Sequence, residues 1–197
     1  MSVYERSKEK REDVEKKKNQ KEIKNLWRWM KAACFYIVMG GAILFLLQFH
    51  VYVVQGESMD PTLKNGEYLL VNKSVSPKKY DIVTLTVHRG KSNEESYVKR
   101  VVGIPGDYVI SIDGRLVIMP EGSWDFSQKE VTLENLPNNA TILDLSDSGR
   151  DYFSKINKIP KGKYFVLGDN HRNSKDSRTF GLISNSMIDG VVSYGLF

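Results

Sequence analysis

At 197 residues the chain has room for one moderate domain plus an anchor, and for nothing larger. Its formal charge of +5 is concentrated: residues 1–31 hold eleven Lys+Arg against six Asp+Glu, while residues 32–197 hold eighteen of each. That balance excludes a basic nucleic-acid-binding face on the folded part. The single Cys34 excludes an intramolecular disulfide, and no Cys/His spacing points to a metal site.

Residues 1–31 read as a basic tail, with 1–20 expected to be solvated and largely disordered. Ala32 to Phe49 then gives eighteen residues without a formal charge. As a helix this stretch spans ~27 Å, close to the ~30 Å hydrocarbon core of a bilayer. Trp27 and Trp29 before it and Tyr52 after it are residue types that favour the membrane interface. Gly40 and Gly41 are tolerated there, because no water competes for the helical hydrogen bonds. Cys34 reads as a small hydrophobe within the span. The sequence HVYVVQGES that follows has no small-x-small cleavage site, so a retained anchor is expected rather than a removed leader. A transmembrane helix at 32–50 is predicted, and the flanking Arg28 and Lys31 favour it over a buried core helix. The positive-inside rule keeps residues 1–31 in the cytoplasm and sends 51–197 outside: a single-pass cell-membrane protein in contact with lipid.

Beyond the span the periodicity changes to short β-type runs. They are HVYVV (50–54), EYLLVNK (67–73), DIVTLTVH (81–88), YVKRVVGI (97–104), DYVISI (107–112), RLVIM (115–119), KYFVLG (163–168) and DGVVSYG (189–195). Asp113-Gly114 between two of them is a hairpin signal. The expected fold is mainly β, a sandwich or partly open barrel, with a more polar insertion at about 119–160 that forms a small subdomain or a flap. Asn139-Ala140-Thr141 is a formal glycosylation sequon, discounted because nothing else points to a eukaryotic secretory lumen.

Three stretches carry candidate chemistry. In QGESMDPTLKNGEYL, Ser58 sits on a loop just before a strand; alone it reads first as a turn serine that bonds local backbone, and only second as a nucleophile. In YVKRVVGIPGD, strict alternation puts Lys99 on the face of Tyr97 and Val101, with Arg100 pointing the other way. A lysine at its ordinary pKa of ~10.4 is neutral for only about one part in a thousand near neutral pH. Burial among apolar neighbours depresses that value and makes the amine a usable base. In GDNHRNSKDSRTFG, Asp176 and Arg178 flank Ser177 at a spacing that allows them to pair on one face, with Ser174 nearby.

Taken together, in this order and at these intervals, GESMDPTL, YVKRVVGIPGD and GDNHRNSKDSR resemble the motifs of the bacterial type I signal peptidases (leader peptidases). EYLLVNK and KKYDIV match the intervening strands. The single span and modest insertion are similar to the short Gram-positive form. The resemblance implies a serine endopeptidase that removes N-terminal signal peptides from exported preproteins with small residues at the first and third positions before the cut. It needs no cofactor and no nucleic acid. The resemblance implies that Ser58 is the nucleophile, Lys99 the general base and Ser174 a serine that hydrogen-bonds the lysine. It also makes Asp176 and Arg178 a supporting ion pair and Asp169 a structural acid. The Ser58 backbone N–H is one expected oxyanion donor. Gram-negative members place a second serine hydroxyl where this sequence has Gly56, so the second donor stays open between a Gly56 backbone group and a water. Val54, Leu63 and Val98 are expected to wall shallow subsites, with the substrate added as a strand. Ser58 follows Phe49 by nine residues, at most ~30 Å of extended chain, which keeps the nucleophile near the bilayer.

Three rival readings have specific content. His171 near Asp169 offers a Ser–His–Asp scheme. A self-cleaving repressor also uses a Ser–Lys pair, but needs a DNA-binding region where this chain has a tail and a span. An anchored module that binds export clients without cutting them has no use for both Ser58 and Lys99.

Overall fold

In a computed structural model, residues 3–89, 93–127, 130–145 and 147–196 are described. The chain divides into two units, one up to Leu47 and one from Gln48 onward.

The first unit is a single helix, α1, Val3–Gln48. It starts far upstream of Ala32, so residues 3–20 are helical rather than disordered as expected. Composition supplies the reason: no Gly or Pro occurs before Gly40, and Lys, Glu, Gln and Arg lose little rotamer freedom in a helix. The C-terminal part is long and apolar enough to cross a membrane. There Phe35, Tyr36, Ile37, Val38, Leu44, Leu46 and Leu47 are all exposed, an all-round apolar surface that fits lipid rather than water.

The second unit is mainly β. Its strands are β1 Phe49–Val53, β2 Tyr68–Asn72, β3 Ile82–Arg89, β4 Asn93–Gly103, β5 Tyr108–Ile112, β6 Arg115–Met119, β7 Thr141–Asp144, β8 Lys163–Leu167, β9 Ile183–Ser184 and β10 Ile188–Leu196. Two short helices, α2 Asp147–Phe153 and α3 Ser177–Phe180, and a 3-10 turn at Asn185–Met187 complete it. The eight runs read from the sequence are all strands. β7, β9, α2 and α3 were not foreseen, because each is too short to show a period.

Seven strands form one sheet in the order β1-β2-β10-β3-β4-β8-β9. The last strand of the chain, β10, inserts between β2 and β3, antiparallel to both. Central β3 is covered on both faces. Val83, Leu85 and Val87 pack with Val101, Val166 and Ile183 on one side. On the other face, Val54, Met59, Leu63, Leu69 and Val71 form a second cluster with Tyr52 and Val98 against it. Tyr52, expected to anchor at the membrane interface, is therefore half-buried in β1 and packs on this core.

β5, β6 and β7 form a separate three-stranded sheet. Asp113 (φ 49°) and Gly114 (φ 76°) make its first hairpin, the left-handed pair a two-residue turn requires. Thr141–Asp144, inside the polar 119–160 stretch, pairs with β6. Leu143, Leu145 and Phe153 then share one core with Phe165 and Leu167 of the main sheet. This stretch thus adds a strand and a helix to the common core.

Candidate active site

The loop between β1 and β2 carries Ser58. Hydrogen bonds from Val54 N to Glu67 O and from Gly66 N to Val54 O, both 2.9 Å, close its base. Met59 and Leu63, 1% and 6% exposed, plug it into the core. Ser58, between these anchors and the open tip, is half-buried. The Gly56 N–H, one of the two candidates for the second oxyanion donor, donates to Asn65 Oδ1 at 3.0 Å in this structure. The Ser58 N–H has no partner among the described residues.

Lys99 lies on β4 and is 1% exposed. Its Nζ donates to Ser58 Oγ at 2.7 Å and to the Val98 carbonyl at 2.8 Å. The Tyr97 ring centroid is 5.4 Å away. Burial pushes the Lys99 amine down to about 8; the charges of Asp176 and Asp169 pull the other way and lose.

Arg100, alternating to the opposite side, forks onto Asp169 through Nε–Oδ1 at 2.9 Å and Nη2–Oδ2 at 2.7 Å. Burial is the largest influence and disfavours the Asp169 carboxylate, but the hydrogen bonds from Arg100 and Thr62 and the Arg100 charge together outweigh it, and its pKa falls below the ordinary value. Asp169 thus stands at the head of a loop that is tied to the lysine strand.

Asp176 and Arg178 pair as the sequence suggested, but through a different geometry. Asp176 caps α3, accepting from Arg178 N, and takes Nε and Nη2 of Arg178 at 2.8 Å each. Asp176 is fully buried; burial opposes its ionisation, and the Arg178 and Gly168 N–H contacts still lower its pKa. Arg178 Nη2 also holds the His171 carbonyl at 2.8 Å.

Ser174 shares the lobe with Lys99, yet its buried Oγ makes no hydrogen bond to the lysine. The bond implied by the resemblance is absent from this state, where Lys99 uses Ser58 and Val98 instead. His171 is exposed, with Nδ1 against the Gly168 carbonyl at 2.8 Å, whereas the partner of Ser58 Oγ is Lys99.

A cleft opens on both sides of the Ser58–Lys99 pair. One lobe, about 510 Å³, is walled by Val54, Met59 and Val98. The other, about 580 Å³, is walled by Glu57, Arg172, Ser174 and Lys175. Val54 and Val98 are wall residues as expected. Leu63 is not: it packs with Leu69 and Val71 away from the cleft, and buried Met59 forms part of the wall instead. β8 pairs with β4 only at Arg100, Val101 and Gly103, so the ladder between them stops short of Lys99.

Sequence reasoning missed Asn65 and Asn170. Asn170 donates Nδ2 to Glu57 O and N to Ser58 O, both at 3.1 Å, so its loop grips the nucleophile loop. Asn65-Gly66 carries a turn signal; Asn170 carries none.

A family description, signal peptidase, peptidase S26, matches residues 26–197. The chain is 38% identical over 182 residues to signal peptidase IB of Staphylococcus aureus (strain Mu50), covering 84% of this chain and 90% of that one. It is 38% identical over 184 residues to signal peptidase I P of Bacillus subtilis subsp. natto, covering 91% of each. A crystal structure of a signal peptidase I from Enterococcus faecalis V583 matches at 26% identity and a TM-score of 0.36, over 60% of this chain and 98% of that one.

Proposed function

This chain belongs to the signal peptidase family, peptidase S26, serine proteases that remove signal peptides, and from that premise we propose a membrane-bound enzyme that cuts exported preproteins with a Ser58–Lys99 dyad. The observation that carries the reading is the 2.7 Å contact between Ser58 Oγ and the Lys99 amine, which is 1% exposed and titrates near 8.

In the ammonium form Lys99 donates to Ser58 and is inert. Once neutral, it accepts the Ser58 hydroxyl proton as Oγ attacks the scissile carbonyl. The developing oxyanion meets the Ser58 N–H, a donor with no competing partner; a second donor is left to the substrate complex or a water. The Lys99 ammonium then protonates the departing amine, leaving the signal peptide esterified to Ser58. With Oγ acylated, the amine, now neutral, has lost its Ser58 partner, and the Ser174 hydroxyl in the same lobe supplies a new hydrogen-bond partner that keeps it aimed. Still neutral, Lys99 takes a proton from water as the water oxygen attacks the ester, and returns that proton to Oγ as the signal peptide leaves. Arg100–Asp169 and Arg178–Asp176 act as positioning pairs for the strand and loop that hold the amine.

Val54, Met59 and Val98 give the first lobe an apolar wall that suits small residues before the cut, and an extended chain added beside β4 past the end of its pairing with β8 would present them there. Residues 1–31 serve as a cytoplasmic tail, 32–50 as the span, and 51–197 as the extracytoplasmic catalytic unit, with 119–160 as its insertion.

The test is cleavage of a preprotein by Ser58→Ala, Lys99→Ala and His171→Ala variants. The first two are expected to be inactive and the third active; a live lysine variant beside a dead histidine variant sinks the dyad.

A further inference from the structure

The two lobes of the cleft meet at the dyad: Gln55, Ser58, Ser96, Tyr97 and Lys99 line both. A peptide stretched across Ser58 therefore puts residues before the cut in one lobe and residues after it in the other. The lobe with the Val54, Met59 and Val98 wall matches the small side chains before the cut. The lobe walled by Glu57, Arg172 and Lys175 is left for the beginning of the mature chain.

That second lobe has an uneven charge. Arg172 and Lys175 face it, with Glu57 as the only carboxylate among its walls. Neither cation makes an ion pair among the described residues, so neither is neutralised by the protein itself. The loop that carries them is not free to drift, because Asn170 fixes it to the Glu57 and Ser58 carbonyls at 3.1 Å each. The cations are thus held at a set location relative to the nucleophile.

We propose that this lobe is a subsite for an acidic side chain among the first residues of the mature segment, with Arg172 and Lys175 as specificity-determining residues. The proposal rests on the signal-peptide-cleavage reading and adds a charge preference on the leaving side of the cut. Both cations are solvent-exposed, so each pairing is worth about a two- to fivefold rate difference. Their combined effect falls with salt, as the screening length shrinks from ~10 Å at 0.1 M to ~3 Å at 1 M.

The experiment uses the full-length chain in detergent micelles and three preproteins that differ only in carrying Asp, Asn or Lys at the second residue after the cut. With kcat/KM as the readout, the expected order is Asp, then Asn, then Lys. The Asp-to-Lys ratio should be about tenfold at low salt and fall toward one at ~1 M. The double variant Arg172→Glu/Lys175→Glu is expected to reverse the order, read as the Asp and Lys rates relative to the Asn rate of the same variant. All three substrates cleaved with no preference, or the same order in the double variant, overturns the subsite and leaves signal-peptide cleavage intact. No cleavage of any of the three by the wild-type chain overturns both.

Discussion

Gly168 lies against the Ser58 carbonyl so closely that a Cβ at 168 would collide with that oxygen and with Ser174 Oγ, and would come within 2.7 Å of Ser174 Cβ. The glycine is needed for close approach: the loop after β8 reaches the backbone of the nucleophile through it. Gly168→Ala is expected to push Ser58 out of line with Lys99 and lower kcat about 100-fold, by the sensitivity of reacting groups to sub-ångström misplacement. Steady-state kinetics on a preprotein check it; unchanged kcat means the contact does not position the serine.

The pH dependence follows from one buried amine. Lys99 is held near 8 in the folded chain against an ordinary 10.5. Activity is therefore expected to rise with pH through a midpoint near 8 and then level off. Between those two values the unfolded chain binds a proton that the folded chain does not, so the free energy of unfolding rises with pH across that window. Lys99→Met removes the desolvated amine: the variant should be inactive yet more stable by about 1–3 kcal/mol near neutral pH. Thermal melts at pH 7 and pH 10 read both effects, and the gain should shrink at the higher pH.

Asp176 acts on the same amine from the other direction, because its negative charge raises the Lys99 pKa. Asp176→Asn is expected to move the midpoint of the activity profile to lower pH. It also strips Arg178 of a buried counter-ion, at a cost of about 2–4 kcal/mol in denaturant titrations. A midpoint that moves upward would show that Asp176 does not act on Lys99 through its charge.

Ser174→Ala removes a hydroxyl that makes no hydrogen bond in this state. Stability should change by no more than about 0.5 kcal/mol. Hydrolysis of the acyl-enzyme should nevertheless slow by about 10- to 100-fold, because the neutral Lys99 amine loses the partner that aims it at water once Ser58 is esterified. Rapid-mixing experiments should then show a burst of released mature protein followed by a slow steady state; an unchanged second phase removes Ser174 from the mechanism.

Much of the catalytic unit was legible because its strands are long enough to show alternation, and Val83, Leu85 and Val87 mark a buried face on their own. Ser58, Lys99, Asp169 and Asp176 were legible as parts of three dense motifs rather than singly. What escaped depends on contacts far apart in sequence. The Arg100–Asp169 fork spans sixty-nine residues and the Asn170–Glu57 bond spans one hundred and thirteen, and neither leaves a periodic trace. Gly56 looked available for an oxyanion because nothing in QGES announces that Asn65, nine positions on, reaches back to its N–H. Leu63 was read as a cleft wall because a loop leucine beside the motif has no sequence sign of which way it turns. The tail was read as disordered from its charge, although the same Lys and Glu residues are strong helix formers.

The nucleophile loop is fastened by two asparagines, Asn65 on the Gly56 N–H and Asn170 on the Glu57 and Ser58 carbonyls. Carboxamides neither gain nor lose protons over the range in which enzymes are assayed. Acidity therefore has no handle on the clamp itself, and a titration of turnover in this chain reads the charge state of its base, uncontaminated by loosening of the serine's support.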